Sequence, residues 1–381
     1  MLGGKVRIGI DVREFVGTTT GIARLLSGLF ERLPTLRPEW EFIFFGNRKT
    51  LLPFQSKNSR LLRLWEPMPF WWDQVAVVGS LSREKIDLFI SPYYKIPLLA
   101  PCPIVHIIHD IIPLTSPYYR TWRYLIPRLA LEILGRLCAE KAAVTLTDSF
   151  YTKEMLLKRF HLSDQKVHVI YPGIAPHFSP SKEDHSCEGV MTKYRIRKPY
   201  LLYVGNFKPH KQVHCLIQAF GELPETLRSS TQLVLAGRRS QETKSLERLI
   251  EELRLEDSVL FTDFVSEEDL SSLYGGATLF VFPSSDEGFG LPPLEAMACG
   301  VPVIASNAGS LSEVLGPAAI LVESGNPERL SEEIARLLRD EEERKRRIQT
   351  GFEHIKQFSV ESQTRAFLSV LEDLLTGGST A

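Results

Sequence analysis

At 381 residues and 43.2 kDa the chain is too long for one typical core, which points to two domains. A composition 44% hydrophobic and 24% charged excludes a disordered or fibrous protein, and no uninterrupted apolar run of about eighteen residues marks a membrane span. The net charge is −1, yet residues 1 to 180 hold 23 Lys and Arg against 15 Asp and Glu, leaving 22 against 31 for the remainder.

That basic first half faces either plain solvent or an anionic partner, such as a lipid surface or a phosphorylated acceptor. The opening MLGGKVRIGIDV runs straight into a strand pattern rather than a secretory leader. Cys102, Cys138, Cys187, Cys215 and Cys299 lie far apart without a C-x-x-C pair, so reduced thiols and a cytoplasmic location are expected.

In chain order, VRIGIDV from Val6 reads as the first strand. Gly17, Thr18, Thr19, Thr20 and Gly21 form a polar loop before the helix IARLLSGLFERL, a place for an acceptor hydroxyl or a donor phosphate that many first strand-to-helix turns share. The strand EFIFF follows, then LWEPMPFWWDQ, whose Trp65, Phe70, Trp71 and Trp72 either line an acceptor site or pack inside. The next strands are IDLFI from Ile86 and PIVHII from Pro103, the latter ending in His109 and Asp110. His106 reads as structural, and a metal role for His109 lacks further ligands at recognisable spacing.

The stretch YYRTWRYLIPRLALEILGR combines arginines with leucines and aromatics; a helix packed on the sheet with its basic residues outward is the favoured reading, an interfacial helix the second. After the strand AVTLT, Asp148 or Ser149 caps a helix, and VHVIYPG from Val167 closes the first βα series. Residues 174–199, rich in Pro, Ser, His and charge, read as an interdomain linker and hinge.

A second βα series then starts, with strands YLLYVG, QLVLAG, VLFT, ATLFVF, PVIAS and AILV. Lys211, at the helix start after Gly205, is suited to a pyrophosphate as a point charge. Gly288 and Gly290, after ATLFVF, allow close backbone approach to a ligand, and the helix from Pro292 to Cys299 presents its first N–H groups to an anion. Glu287 and Glu295, one before that helix and one within it, let one carboxylate reach a sugar while the other reaches a ribose diol. The charged run LSEEIARLLRDEEERKRRIQ reads as a helical tail, followed by a last amphipathic stretch, VESQTRAFLSVLEDLL.

Glu287 and Glu295 at E-x7-E spacing, followed by AMACGVPVI, resemble the donor-site signature of family 4 retaining glycosyltransferases, and the likeness extends over nearly the whole chain. It implies an α/β chain of GT-B fold, two Rossmann-like parallel-sheet domains facing across a cleft. Residues 1–180 would bind the acceptor, 181–358 the nucleotide sugar, and 359–381 would form a helix returning to the first domain. By the same resemblance Gly205, Asn206, His210, Lys211, Phe264, Val265, Glu287, Gly288, Phe289, Gly290, Leu291 and Glu295 contact the donor, with His109, Glu287 and Lys211 catalytic. Gly17 to Gly21, Asp110 and Ser149 are assigned to the acceptor and phosphate loop. Two positions depart from the family pattern: His210 stands where Arg is usual, and Asp263 where Gly is usual.

No D-x-D occurs, so neither a metal nor a cofactor beyond the nucleotide-diphosphate co-substrate is implied. The motifs HDIIPL, GLPPLE and GIDVR are similar to those of bacterial mannosyl- and rhamnosyltransferases of surface-polysaccharide assembly, which makes GDP-mannose the first donor and a glycan or polyprenyl-linked molecule the acceptor. Peripheral attachment to the inner face of the cell membrane fits the basic first half, and no motif favours nucleic acid. A nucleotide-sugar epimerase of the same fold and a non-catalytic transferase-like subunit remain open alternatives.

Overall fold

The computed structural model describes residues 5–16, 21–121, 124–180 and 184–377. The chain divides into two compact units, Met1–Gly173 with Phe358–Ala381, and Ile174–Gln357. In the first, strands β1 (Arg7–Asp11), β2 (Glu41–Gly46), β3 (Ser59–Arg63), β4 (Leu88–Ser91), β5 (Ile104–Ile108), β6 (Val144–Thr147) and β7 (Val167–Val169) form one parallel sheet in the order β3-β2-β1-β4-β5-β6-β7. The second holds β8 (Tyr200–Val204), β9 (Gln232–Ala236), β10 (Val259–Asp263), β11 (Leu279–Phe282), β12 (Val303–Ser306) and β13 (Ile320–Val322), again all parallel, in the order β10-β9-β8-β11-β12-β13.

Strands buried on both faces explain the continuous apolar runs. In the first unit, alternate residues divide between two layers. Ile8, Ile10, Phe42 and Phe44 pack against Leu26, Phe30 and Leu33 of the helix Gly21–Leu36 and against Phe367, Leu368 and Leu371 of the last helix, Val360–Thr376. Ile43, Phe45, Phe89 and Ile104 point the other way, toward Trp72, Val77 and Leu81 and toward Cys138 and Ala142 at the end of the helix Leu125–Lys141.

Each sheet order reverses at one place, between β1 and β4 and between β8 and β11. Ligands of open α/β sheets bind outside the carboxyl ends of the strands at such a reversal. The loops after β8 and β11 carry the glycines, Lys211 and Glu287, while Asp11 ends β1 and the loops after β1 and β4 carry Arg13 and Tyr93.

Four differences from the sequence reading have physical causes. The expected linker contains the helix Asp184–Tyr194, which buries Cys187, Val190 and Met191 and is held to the helix Glu267–Gly275 by Lys193 and Tyr194, at 2.6 and 2.8 Å from Asp269. The units accordingly divide after Gly173, earlier than residue 180. The charged tail is two helices, Pro327–Arg339 and Glu341–Ile355, because Asp340 leaves helical geometry to cap the second, accepting from Glu343 N at 2.9 Å with three glutamates in the first turn. Strand β3, SRLLR, carries no continuous apolar signal because, at one edge of its sheet, none of its side chains is fully buried. Finally, the helix Leu125–Lys141 packs inward through Gly135, Cys138, Ala139 and the partly buried Leu131 and turns Arg136 and Lys141 outward as the favoured reading has it, but it exposes Leu125, Ile126, Leu129, Ile133, Leu134 and Leu137 as well.

Candidate active site

In the second unit, chain reversal after β8 is fixed by Tyr203, fully buried, whose hydroxyl donates to Asn206 O at 2.7 Å, and by Gly205 N donating to Ala236 O. The turn Pro209–Lys211 follows. Its His210 carbonyl accepts from both Ser285 N (2.7 Å) and Ser285 Oγ (3.1 Å), which ties the loop after β8 to the loop after β11.

Across this junction Lys211 Nζ donates to Glu287 Oε1 at 2.6 Å, and the ammonium also lies 5.3 Å from the Phe282 ring centroid. Both side chains are nearly enclosed, 13% and 8% exposed. An ammonium has three N–H donors. One is taken by Glu287, and the others are the chemically natural partners of phosphate oxygens.

Glu287 itself is placed by its backbone: its carbonyl accepts from Ser310 N at 3.2 Å, and Gly309, at φ +59°, passes so close that a β-carbon there would lie 2.6 Å from Glu287 N. Gly290, at φ +96°, enters the helix Leu291–Ala298 with Pro292 and Pro293 in its first turn, where missing donors cost little. Ser310 Oγ donates to Phe289 O at 3.0 Å, so the loop is tied at two carbonyls. Glu295, within that helix, is buried and accepts from Tyr274 OH at 2.9 Å.

The two departures from the family pattern have structural settings. Asp263 adopts φ +59°, a conformation that favours glycine, and pairs with Arg239 at 3.1 Å. His210 is buried, so it is not a solvent-facing cation, while Lys208 and Arg238 form no ion pair among the described residues. Arg238 sits over the half-exposed ring of Phe264, 5.7 Å from its centroid, with Val265 next in the chain.

In the first unit, His109 at the end of β5 is buried, with Nδ1 hydrogen-bonded to Asp148 Oδ2 at 2.8 Å. Burial opposes its protonation, but the attraction of Asp148 and Asp110 outweighs this and raises the imidazole above its ordinary range. Its Nε2 has no hydrogen-bond partner among the described residues. Asp110 accepts from Tyr94 OH and Ile112 N at 2.8 and 2.9 Å, and Ser149 caps the helix Phe150–Phe160 by accepting from Thr152 N. His106, bonded through Nε2 to Tyr93 O and pushed down to about 4 by burial, is neutral and structural. Gly21 opens its helix; Gly17, Thr18, Thr19 and Thr20 lie outside the described residues.

One cluster escaped the sequence reading. Arg13 is held by Asp11 (3.3 Å) and Asp73 (2.6 Å), with its guanidinium over the rings of Trp72 and Tyr93 at 5.4 and 5.2 Å. Trp72 Nε1 donates to Asp11 Oδ2 at 3.2 Å, and burial, only partly offset by Arg13, pushes Asp11 up to about 6. The carboxylate that ends the first strand of a Rossmann-like sheet was the available signal.

Known proteins share the sequence pattern and fold of this chain. Residues 192–354 match the family described as Glycosyl transferases group 1, and residues 22–178 match Glycosyltransferase Family 4. The chain is 33% identical to O-antigen chain mannosyltransferase B of Escherichia coli over 84% of its own length and 82% of the relative's. It is 30% identical to O-antigen chain mannosyltransferase RfbU of Salmonella typhimurium over 70% and 69%. Among solved structures, Anabaena HepE in complex with UDP and glucose superimposes with a TM-score of 0.76 at 18% identity, covering 97% of this chain and all of that one, which supports the GT-B fold. With its E-x7-E loop, paired lysine and two Rossmann-like units, the chain belongs to the family 4 glycosyltransferases.

Proposed function

We propose that this enzyme transfers mannose from GDP-mannose, with retention of configuration and without a metal ion, to a glycan or polyprenyl-linked acceptor of surface-polysaccharide assembly in the cytoplasm. The names of the relatives support mannose and the O-antigen setting. The observation that carries the donor site is the Lys211–Glu287 pair at the strand-order reversal, flanked by a glycine-entered helix start.

In this reading Lys211 and the amides of the Gly288–Gly290 loop hold the diphosphate and take the charge that builds on it as the bond to the sugar breaks. Glu287 holds sugar hydroxyls, Glu295, fixed by Tyr274, holds the ribose diol, and Phe264 and Val265 seat the base. The buried Nε2 of His109, without a partner among the described residues, serves a sugar hydroxyl, with Asp148 fixing the ring. The acceptor oxygen bonds to C1 on the face the diphosphate leaves, and the acceptor proton passes to a diphosphate oxygen, so the α configuration is kept.

The test is product analysis by NMR after incubating the enzyme with GDP-mannose, a synthetic lipid-linked acceptor and EDTA. An α-linked mannoside is expected. A β-linked product contradicts retention, and activity that appears only with added divalent cation contradicts metal independence.

A further inference from the structure

We infer that the outer layer of the first unit, centred on the exposed face of the helix Leu125–Lys141, docks on an anionic phospholipid surface. A helix on a sheet ordinarily turns its apolar stripe inward. Here Ile126 is 79% exposed, Leu125 62% and Ile133 52%, and Leu129 and Leu137 continue the same stripe along the helix. Gly135, Cys138 and Ala139 face the core and only Leu131 among the leucines and isoleucines packs partly buried, so most of the side chains large enough to stabilise burial are left outside.

The same layer carries a second apolar group. Trp72 shares a core cluster with Cys138 and Ala142, and Leu64 and Leu98 pack against that cluster, so the segments around them belong to the layer. Their neighbours Trp65 (63% exposed), Phe70 (70%), Met68 and Leu99 are turned to solvent. The second unit exposes only Leu253 and Phe264 among its described large apolar side chains. In the first unit all the described exposed large apolar side chains but Leu36, Leu51 and Phe150 lie on these segments, a concentration that marks an interaction surface rather than ordinary scatter.

Charge decides the kind of partner. The sequence from Pro117 to Lys141 holds Arg120, Arg123, Arg128, Arg136 and Lys141 against two acids, Glu132 and Glu140. Both acids are already paired, with Arg159 at 3.0 Å and Arg136 at 2.7 Å. A second copy set against this face would bring like charges together. Leucines and isoleucines flanked by arginines, tyrosines and tryptophans match the boundary between acyl chains and anionic headgroups. No helix among the described residues is long and apolar enough to cross a membrane, so the contact lies on the surface.

The experiment is flotation of the full chain with vesicles of phosphatidylcholine containing one-quarter phosphatidylglycerol, and with phosphatidylcholine alone. Light scattering gives the oligomeric state in parallel. The wild type is expected to float with the anionic vesicles, and the double variant Ile126→Glu with Ile133→Glu to lose about tenfold or more in partitioning. Melting should be unchanged, because both side chains are exposed in the folded state. Equal flotation of wild type and variant overturns the inference, as does failure of the wild type to bind anionic vesicles. A wild-type dimer that the variant converts to monomer, without vesicle binding, overturns it in favour of self-association.

Discussion

Lys211→Met separates the structural from the chemical role of the pair at the donor loop. The substitution keeps most of the volume and removes the charge, leaving the Glu287 carboxylate, 8% exposed, without its partner at 2.6 Å. Breaking one side of a buried pair costs roughly 3–5 kcal/mol, and the partial exposure of Lys211 places this case near 3, about a hundredfold in the folding equilibrium. Adding Glu287→Leu removes the orphaned charge, so the double variant should return to within about 1 kcal/mol of wild type. Binding of the nucleotide sugar should not return. Unfolding in urea is best followed by far-ultraviolet circular dichroism, because all five tryptophans (Trp40, Trp65, Trp71, Trp72 and Trp122) lie in the first unit and their fluorescence is silent on the second. A single variant as stable as wild type would refute the claim that the pair is shielded from water. A double variant that binds nucleotide sugar normally would remove the pair from the donor site.

Gly309→Ala should cost at least about 2 kcal/mol, read as a lower melting temperature, and weaken nucleotide binding, because it forces a β-carbon at φ +59° onto the backbone of Glu287. Asp11 keeps its proton to about pH 6 when folded and to about 3.8 otherwise, so its contribution to stability falls as pH rises between those values. Asp11→Asn should therefore gain on the order of 3 kcal/mol relative to wild type between pH 3.5 and 7, checked by paired urea titrations. His109 is shifted upward, so its stabilising share is full below its ordinary value near 6.5 and fades as pH rises through the folded value. Asp148→Asn leaves burial to act with less opposition and should lower the His109 titration point in an NMR titration. Tyr274→Phe should raise the donor KM about tenfold by releasing Glu295, with kcat nearly unchanged.

The elements legible in the sequence were those with a strong local signature. Twelve of the thirteen strands contain short apolar runs that stand out in the sequence, including the edge strands β7, β10 and β13, whereas β3, also at an edge, reads as an ordinary polar stretch. Lys211 and Glu287 each stood out beside a glycine-bearing strand end, but their contact joins residues 76 apart and needed the sheet order. The hydroxyl of Tyr274 on Glu295, the backbone of Gly309 against Glu287, and Asp73 on Arg13, 60 residues away, are tertiary placements with no local sequence signature. The helix at Asp184–Tyr194 was hidden by the Pro, Ser and charge around it, and its placement depends on Asp269, in a helix far along the chain, which holds Lys193 and Tyr194.

The most direct test of the donor assignment is calorimetric titration of the enzyme with GDP-mannose, UDP-glucose and UDP-N-acetylglucosamine in the presence of EDTA, repeated on Glu295→Ala. Selective binding of GDP-mannose, weakened at least about tenfold by the substitution, is the predicted result. Preference for a UDP-sugar, or unchanged GDP-mannose binding in Glu295→Ala, would contradict it.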